Sequence, residues 1–298
     1  MHGSPSERRV LEADQRQERA LTETTDTTAT TETTETTETF QLTIEAAEAY
    51  EANFVPALFA DWAGPLVDLA DVRPGQSVLD AACGTGIVAR AAADRLAGSG
   101  SVTGTDLNES MLAVAARVRP DLDWQQADVT SQPFPDGSFD VVLCQSALMF
   151  FPDRAAALRE LARVARRGGA VALQVWDRLE GQPAYGPLVE IAARHAGPQA
   201  VDLLSSYWSA GDLAELRRTI EACGMVVTET RTRLGTARFP SLEQVVRIEI
   251  ESTPLRDRIS DGVYDTILTE VVAALAGYET ATGTAEIPIS GHLVLAHT

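Results

Sequence analysis

The stretch that decides the fold is Val78-Leu79-Asp80-Ala81-Ala82-Cys83-Gly84-Thr85-Gly86-Ile87-Val88-Ala89. It begins as a short apolar run typical of a buried strand and ends as the start of a helix. Two glycines lie between these parts, and glycine suits a loop that needs positive φ or a ligand close to the backbone. A helix N-terminus after such a loop offers unpaired N–H groups. The pattern predicts a strand, a loop that binds a nucleoside-bearing cofactor, and a helix.

An acidic residue, Asp106, ends the next predicted strand, twenty residues after Gly86. A carboxylate at this position can accept two hydrogen bonds from ribose hydroxyls. The pattern Gly84-x-Gly86-x-x-Ala89 also satisfies the dinucleotide fingerprint, so an NAD-dependent oxidoreductase is the competing interpretation. Asp80 argues against NAD, because a carboxylate at the tip of the first strand would repel the pyrophosphate. The same carboxylate would favour a ligand that carries an ammonium and a sulfonium, such as S-adenosylmethionine (SAM).

Short strand-like runs alternate with helical stretches along most of the chain. The predicted strands are 77–80, 101–106, 122–127, 139–144, 170–176, 225–233 and Ile287 to His297. The predicted helical stretches are 45–71, 87–97, 109–117, 154–167, 211–223 and 241–277. This alternation implies right-handed crossovers and a mostly parallel sheet covered on both faces. The predicted fold class is therefore α/β, with a doubly wound, Rossmann-like sheet.

Two helical insertions, at about 178–209 and 236–285, interrupt the alternation within one expected domain, 41–298. Residues 1–40 differ from the rest, because Thr22 to Thr39 consists almost wholly of Thr and Glu. Such a segment cannot bury enough apolar surface to offset its ordering entropy. We therefore expect a disordered acidic tail before the domain.

The overall charge and the cysteines limit the classes of partner that we expect for this protein. The formal net charge is −19, and all 24 cationic side chains are arginines without a basic cluster, which argues against nucleic acid or an anionic membrane. No apolar run reaches the ~18 residues that a membrane-spanning helix needs. The N-terminus has charged residues where a signal peptide would have its apolar segment, so we expect a cytoplasmic protein. The 3 cysteines are far apart and form no C-x-x-C pair, so neither a disulfide framework nor a metal site is expected. Small molecules remain as partners, and a homodimer is left open.

Five motifs occur in order between Tyr50 and Asp177. They are Val78-Leu79-Asp80-x-x-Cys83-Gly84-Thr85-Gly86, Gly104-Thr105-Asp106-Leu107-Asn108-x-x-Met111-Leu112, Ala127-Asp128-Val129, Phe134-Pro135-Asp136-Gly137-Ser138-Phe139-Asp140-Val141-Val142 and Leu161-x-Arg163-Val164-x-Arg166-x-Gly168-Gly169. Together they resemble the class I SAM-dependent methyltransferases, in the branch of the ubiquinone/menaquinone-biosynthesis methyltransferases. The resemblance implies SAM as cofactor, a seven-stranded sheet whose last strand is antiparallel, and helical insertions that form a lid.

The resemblance also implies roles for matching residues. Asp80 is expected to face the ammonium of SAM, Asp106 to hold the ribose, and Asp128 to recognise the adenine amino edge. The full implied cofactor set is Asp80, Ala82, Cys83, Gly84, Gly86, Asp106, Leu107, Met111, Asp128, Val129 and Gln145. The alternative for Asp106 and Asp128 is an ordinary helix N-cap after a strand.

The acceptor is expected at the same edge, because open α/β sheets bind ligands outside the carboxyl ends of their strands. The N-terminal helix and both insertions are expected to cover that edge. Their aromatic and apolar residues predict a substrate pocket that consists of Tyr50, Phe54, Met149, Tyr185, Tyr207 and Trp208. Core packing is the alternative for each of these residues.

His292 is the candidate general base, although methyl transfer needs mainly alignment and uses a base only when the nucleophile is still protonated. It lies early in the final strand, which starts at the carboxyl edge of its neighbours if it runs antiparallel. Histidine also titrates near neutrality. The alternative is a strand histidine satisfied by a backbone carbonyl.

The sequence thus predicts a SAM-dependent methyltransferase that acts on a small, largely apolar metabolite, such as a quinone-like or polyketide-like natural product of secondary metabolism. Two other interpretations stay open. The fold and its SAM site can serve non-methylating chemistry, or the protein can sense SAM without turnover.

Overall fold

The computed structural model describes residues 42–251 and 253–298 and contains one seven-stranded sheet in the order β3-β2-β1-β4-β5-β7-β6. The strands are β1 (Ser77–Ala81), β2 (Ser101–Asp106), β3 (Asp123–Gln126), β4 (Phe139–Gln145), β5 (Ala165–Trp176), β6 (Val226–Phe239) and β7 (Ala285–His297). Strands β1 to β5 pair in parallel, and β7 runs antiparallel to both of its neighbours. The predicted doubly wound sheet with an antiparallel last strand is confirmed. The predicted acidic tail, 1–40, lies outside the described residues.

Helices connect the strands. They are α1 (Ile44–Ala49), a π-helix (Tyr50–Phe59), α2 (Ala60–Leu69), α3 (Ile87–Leu96), α4 (Glu109–Val118), α5 (Arg154–Val164), α6 (Tyr185–Ala196), α7 (Gln199–Leu204), α8 (Leu213–Ala222), α9 (Leu242–Glu251), α10 (Leu255–Arg258) and α11 (Asp261–Leu275). Short 3-10 turns occur at Leu148–Phe150, Leu179–Gly181, Ser206–Trp208 and Ala276–Tyr278. Among the helices of 42–251 and 253–298, none has the length and hydropathy needed to cross a membrane.

The boundary between α5 and β5 differs from the prediction. Helix α5 ends at Val164 instead of 167, and β5 begins at Ala165. The reason lies in the neighbouring strand, because Ala165 pairs with Phe139 and the register then shifts before Ala170 pairs with Val141. Such a bulge adds residues to one strand that local sequence patterns do not reveal.

Helices cover both faces of the sheet. A side chain at Gly291 of β7 would meet the Trp62 ring of α2, whereas the next residue, His292, hydrogen-bonds the Gly211 carbonyl just before α8. Since successive residues of a strand point to opposite faces, α2 and α8 lie on opposite sides of the sheet. The core between these layers includes Trp62, Leu79 and Leu143, all fully buried.

The β6–β7 ribbon extends beyond the end of β5. Pairing of β6 with β7 continues to Phe239 opposite Ala285, but β5 ends at Trp176, opposite Gly291 of β7. The ribbon therefore passes the carboxyl end of the parallel strands, and α9, α10 and α11 follow from its tip. The predicted end of β6 at residue 233 was wrong by six residues, because the extension is stabilised by tertiary contacts: Trp62 covers Gly235.

Candidate functional site

The loop after β1 has an unusual backbone. Gly84 and Gly86 have φ of 55° and 85°, and Ala82, which has a side chain, also has positive φ, 55°. Ser146, directly after the neighbouring strand β4, has φ of 52°. A non-glycine residue in this region carries a conformational cost of about 1–3 kcal/mol, and such residues cluster at functional sites. Two adjacent strands thus end in strained residues at the same edge of the sheet.

Asp106 joins the end of β2 to this loop. Its Oδ2 accepts a hydrogen bond from Gly84 N at 2.8 Å, and its Oδ1 accepts one from Asn108 N at 2.9 Å. The N-cap of α4 is Asn108, whose side chain accepts from Ser110 N and Met111 N, so Asp106 is not the cap. Burial raises the pKa of Asp106, and the hydrogen bonds oppose this shift. Its carboxylate lies where the loop and the strand end meet.

Asp80 is an almost fully buried carboxylate, 1% exposed, at the end of β1. Its Oδ2 accepts a hydrogen bond from Ala89 N of α3 at 2.8 Å. Burial raises its pKa to about 7. The nearby cation Arg90 pairs with Glu51, Nη1 to Oε1 at 2.8 Å, and does not neutralise Asp80 by direct contact. A buried acid with this environment fits a cationic ligand group, as the sequence predicts.

The other predicted cofactor residues lie at or after the ends of β1, β2 and β4, near Asp80 and Asp106. Leu107 follows β2 and is 45% exposed, whereas Met111 is buried against Ala47 of α1. Cys83 is buried, and burial raises the pKa of its thiol well above the ordinary value, which suits packing rather than nucleophilic chemistry. Gln145 ends β4, and its Nε2 donates to the Phe59 carbonyl at 3.0 Å while its Oε1 is buried without a hydrogen-bond partner.

Asp128 and Val129 follow β3 at the same edge. Asp128 Oδ1 accepts from Thr130 N at 2.8 Å and from Thr130 Oγ1 at 2.7 Å, which closes a local turn rather than capping a helix. The backbone places this turn beside Asp106, because Ala127 N donates to the Asp106 carbonyl at 3.0 Å. The carboxyl ends of β1, β2, β3 and β4 therefore bring the predicted cofactor residues to one edge.

Tyr50 lies over the glycine loop. A Cβ placed on Gly84 would be 3.9 Å from both Cε1 and Oη of Tyr50. The ring stacks with Phe54 and Phe59 at centroid distances of 5.8 Å and 5.4 Å. These residues belong to the π-helix, which contains Pro56. Proline has no N–H group for an α-helical hydrogen bond, and π-helical segments are frequent at functional sites.

The remaining predicted pocket residues form a second aromatic group. Tyr207 packs edge-on against Phe150 at 5.3 Å, and Tyr185 packs against Trp208 at 4.8 Å. Burial chiefly, and then the charges of Tyr207 and Asp106, raise the pKa of Tyr50. Tyr185, Trp208 and Met149 are 2%, 6% and 7% exposed and belong to the core, which is the alternative that the sequence left open for them.

Sequence reasoning missed Glu249 of α9. Burial raises the pKa of this carboxyl to about 7. Its charge in turn contributes, after burial, to the raised pKa of Tyr185 and of Tyr207, which reaches about 12. A signal was present in the sequence. Glu249 lies on the same face, at helical spacing, as the apolar residues Leu242, Val245, Val246 and Ile250, and an acid is unusual there.

His292 lies at the expected end of β7, but both nitrogens of its ring have hydrogen-bond partners within the protein. Nδ1 hydrogen-bonds Thr232 Oγ1 at 2.9 Å, and Nε2 is 3.1 Å from both Asp177 Oδ1 and the Gly211 carbonyl. The residue is 5% exposed. Because both ring nitrogens have protein partners, this geometry favours the alternative interpretation, a strand histidine satisfied by a backbone carbonyl. Within 42–251 and 253–298, no cluster of three or more His, Cys, Asp or Glu is suited to a metal ion.

Comparisons with known proteins bear on the fold and on part of the sequence. Residues 79–173 match the family model described as "Methyltransferase domain". Solved structures share the fold: the YcgJ protein of Bacillus subtilis is 21% identical with a TM-score of 0.54 over 79% of this chain and 97% of that one. Phosphoethanolamine N-methyltransferase 2 of Haemonchus contortus, solved with S-adenosyl-L-methionine, is 19% identical with a TM-score of 0.55 over 86% of this chain and 57% of that one. The fold and the matched motifs define a class I SAM-dependent methyltransferase domain.

Within that class, the sequence relatives point to one branch. The chain is 39% identical over 130 residues to the ubiquinone/menaquinone biosynthesis C-methyltransferase UbiE of Burkholderia vietnamiensis. The match covers 40% of this chain and 52% of that protein, so the chain spans about half the length of the curated relatives it matches. The chain is a distant relative of UbiE that carries the SAM-binding methyltransferase domain.

Proposed function

We propose that this protein transfers a methyl group from SAM to a small, largely apolar metabolite, of a quinone-like or polyketide-like class. The observation that carries the proposal is the position of Tyr50. A Cβ placed on Gly84 of the cofactor loop would be 3.9 Å from the Tyr50 ring, and this ring stacks with Phe54 and Phe59. An apolar group of aromatic rings thus lies over the cofactor loop, and an acceptor beside Tyr50 would be next to the cofactor.

The buried and half-buried groups of the loop fit SAM. Asp80 would hold the ammonium, because a carboxylate with one backbone hydrogen bond and no contacting cation gains most from a positive partner. Asp106 would accept the ribose hydroxyls beside Gly84. Leu107 and Met111 would flank the adenine, and Asp128 with the Val129 backbone would recognise its amino edge.

SAM supplies a methyl carbon that is already activated by the positive sulfur. The residues of this chain therefore need to align an acceptor and exclude water, and alignment alone accounts for about 7–11 kcal/mol of barrier in favourable cases. Phe54, Phe59 and Tyr50 supply an apolar wall on one side of the loop. Tyr207, which packs against Phe150, and Tyr185, which packs against Trp208, supply the other wall.

A small-molecule acceptor also suits the charge of the protein. The net charge of −19 would repel a nucleic acid, whereas it would not repel an uncharged metabolite. The insertions 178–209 and 236–285 are proposed to form the lid of the acceptor site, because the segments that carry Tyr185, Tyr207 and Glu249 lie within them.

The test is transfer of a labelled methyl group. Purified protein is incubated with methyl-labelled SAM and a panel of hydroxylated quinones and aromatic polyketides, and both label in the extracted product and S-adenosylhomocysteine are measured. We expect label in at least one acceptor together with an equal amount of S-adenosylhomocysteine. SAM binding by calorimetry without any transfer would contradict the proposal and favour non-methylating chemistry or SAM sensing.

A further inference from the structure

The N-terminal end of the described chain lies over the glycine loop. Residues 42–54, which we name the strap, contain α1 and the first half of the π-helix. Tyr50, within the strap, is the residue whose ring would be 3.9 Å from a Cβ on Gly84. Gly84 N in turn donates to Asp106 Oδ2 at 2.8 Å. The strap therefore covers the place where the loop and the acid that is expected to hold the ribose meet.

The strap is held less firmly than the residues that follow it. Within the strap only Ala47 is buried, whereas Val55 and 57–59 are all buried in the main core. Ala47 belongs to a separate, small apolar cluster with Met111 and Val114 of α4. Segments with few buried apolar contacts open locally with a small free energy. The change from accessible to buried residues lies between residues 54 and 55.

The backbone at this boundary is suited to bending. Pro56 lies inside the π-helix, two residues after the strap, and proline has no N–H group for a helical hydrogen bond. The π-helical spacing continues to Ala60, whose N–H donates to the Val55 carbonyl. Proline and π-helical turns are common causes of sharp bends in helices. We therefore expect the strap to move as one unit about residues 54–56.

One ion pair holds the strap to the helix that begins at the glycine loop. Arg90 of α3 donates to both carboxylate oxygens of Glu51, Nη1 to Oε1 at 2.8 Å and Nη2 to Oε2 at 3.3 Å. These side chains are only 14% and 23% exposed. A second pair, Arg117 with Glu48, joins the strap to α4, but both of its side chains are at least half exposed. Bidentate pairs are strong and exposed pairs contribute little, so the Arg90–Glu51 pair is the main latch.

We propose that the strap opens about residues 54–56 to admit and release the cofactor, and that the Arg90–Glu51 pair sets the rate of both steps. This inference rests on the SAM site of the proposed function and does not involve the acceptor. Because the latch joins two protein side chains, it resists opening whether the cofactor enters or leaves. A weaker latch should therefore speed association and release together and leave Kd almost unchanged. Loss of a cofactor contact would instead speed release alone and raise Kd.

The test measures the exchange of tritiated S-adenosylhomocysteine by rapid filtration, with excess unlabelled ligand as the chase. Glu51→Gln removes the charge of the latch with little change of shape. We expect association and release to speed up by about fivefold or more, with a change in Kd of less than about threefold. Glu48→Gln is the matched control on the same strap, because it removes only the exposed pair, and it should change both rates by less than about twofold.

A reversible crosslink tests the same movement in the opposite direction. Glu48→Cys and Arg117→Cys place thiols where the side chains of the exposed pair meet. A bismaleimide with an internal disulfide then joins the strap to α4, in a Cys223→Ser background because Cys83 and Cys144 are buried but Cys223 is not. We expect the crosslink to slow both rates by about tenfold or more, and reduction to restore them.

The outcomes separate the strap from the cofactor site. Parent-like exchange rates in Glu51→Gln or in the crosslinked protein would overturn the proposal. Faster release without faster association, or an equal effect of Glu48→Gln, would overturn the role of the Arg90–Glu51 pair. Failure of the parent protein to bind SAM would instead overturn the proposed function. Faster exchange in Glu51→Gln and slower exchange in the crosslinked protein, each at nearly constant Kd, support the strap as the cofactor gate.

Discussion

The carboxylate of Asp106 accepts a hydrogen bond from Gly84 N, with 2.8 Å between Oδ2 and N. This bond connects the end of β2 to the glycine loop after β1 within the protein itself. The acid that is expected to hold the ribose therefore also positions the loop. Loss of this side chain should have two effects on the cofactor site, a lost contact and a freed loop.

Replacing Asp106 by Ala should weaken the binding of SAM and of S-adenosylhomocysteine by about 2–4 kcal/mol, because charge-assisted hydrogen bonds are lost. Isothermal titration calorimetry measures the affinity. Asp94→Ala, an exposed aspartate on α3, is the control and should leave it unchanged. Equal affinities of the parent and Asp106→Ala would contradict the assignment of the site.

Asp80→Asn should stabilise the ligand-free protein at alkaline pH. Burial raises the pKa of Asp80 to about 7, above the ordinary value of about 3.9 for an aspartate in an unfolded chain, so between these values the folded state holds a proton that the unfolded state has lost. The free energy of unfolding then falls as pH rises through this window, and Asn at position 80 removes that contribution. The advantage of Asp80→Asn should grow by about 2–3 kcal/mol between pH 5 and pH 8.

Urea unfolding of both proteins at the two pH values measures this difference. SAM affinity is the companion readout, and it should be weaker in Asp80→Asn, because the ammonium loses its counter-charge. A stability difference that is independent of pH would show that Asp80 is ionised in the ligand-free fold.

The parts of the molecule that follow from local sequence were predictable. The strand, glycine loop and helix from Val78 to Ala89 were recognisable because apolar runs, glycines and helix starts are properties of neighbouring residues. The site acids Asp80 and Asp106 followed from their spacing to that loop. Residues whose environment is made by distant segments were not predictable in this way.

Glu249 and His292 illustrate the difference. The three partners of His292 are Thr232, Asp177 and Gly211, which come from separate segments, so the sequence shows the histidine but not that both nitrogens are occupied. Helix α11 packs against both α6 and α9, the helix that carries Glu249, and α9 itself follows the long β6 strand. Tertiary contacts, rather than propensities, decide both cases.

His292→Gln should mainly affect stability. The substitution disrupts hydrogen bonds to buried partners, so we expect a loss of about 1–3 kcal/mol in the free energy of unfolding, with SAM affinity unchanged. Urea unfolding and calorimetry measure these quantities. An unchanged stability together with a loss of turnover of ~10² or more would return His292 to the role of general base.

Gly86→Ala should lower the free energy of unfolding for two reasons that can be measured separately. Gly86 has φ of 85°, and a Cβ there would lie 2.3 Å from Cη2 of Trp124, too close for any contact. Gly98 is a matched control, because its φ is 80° but nothing lies within 4 Å of a Cβ at that position. Gly98→Ala should therefore cost only the ~1–2 kcal/mol of the left-handed conformation.

The difference between the two variants measures the contact with Trp124. We expect Gly86→Ala to lose at least about 1 kcal/mol more than Gly98→Ala, since overpacking in a well-packed site costs ~1–3 kcal/mol. In the Trp124→Leu background the smaller side chain leaves room for the methyl group, so the added cost of Gly86→Ala should fall to that of Gly98→Ala. Urea unfolding of the four combinations at positions 86 and 124 gives the coupling energy directly. Equal costs in both backgrounds would mean that backbone conformation alone explains the glycine at position 86.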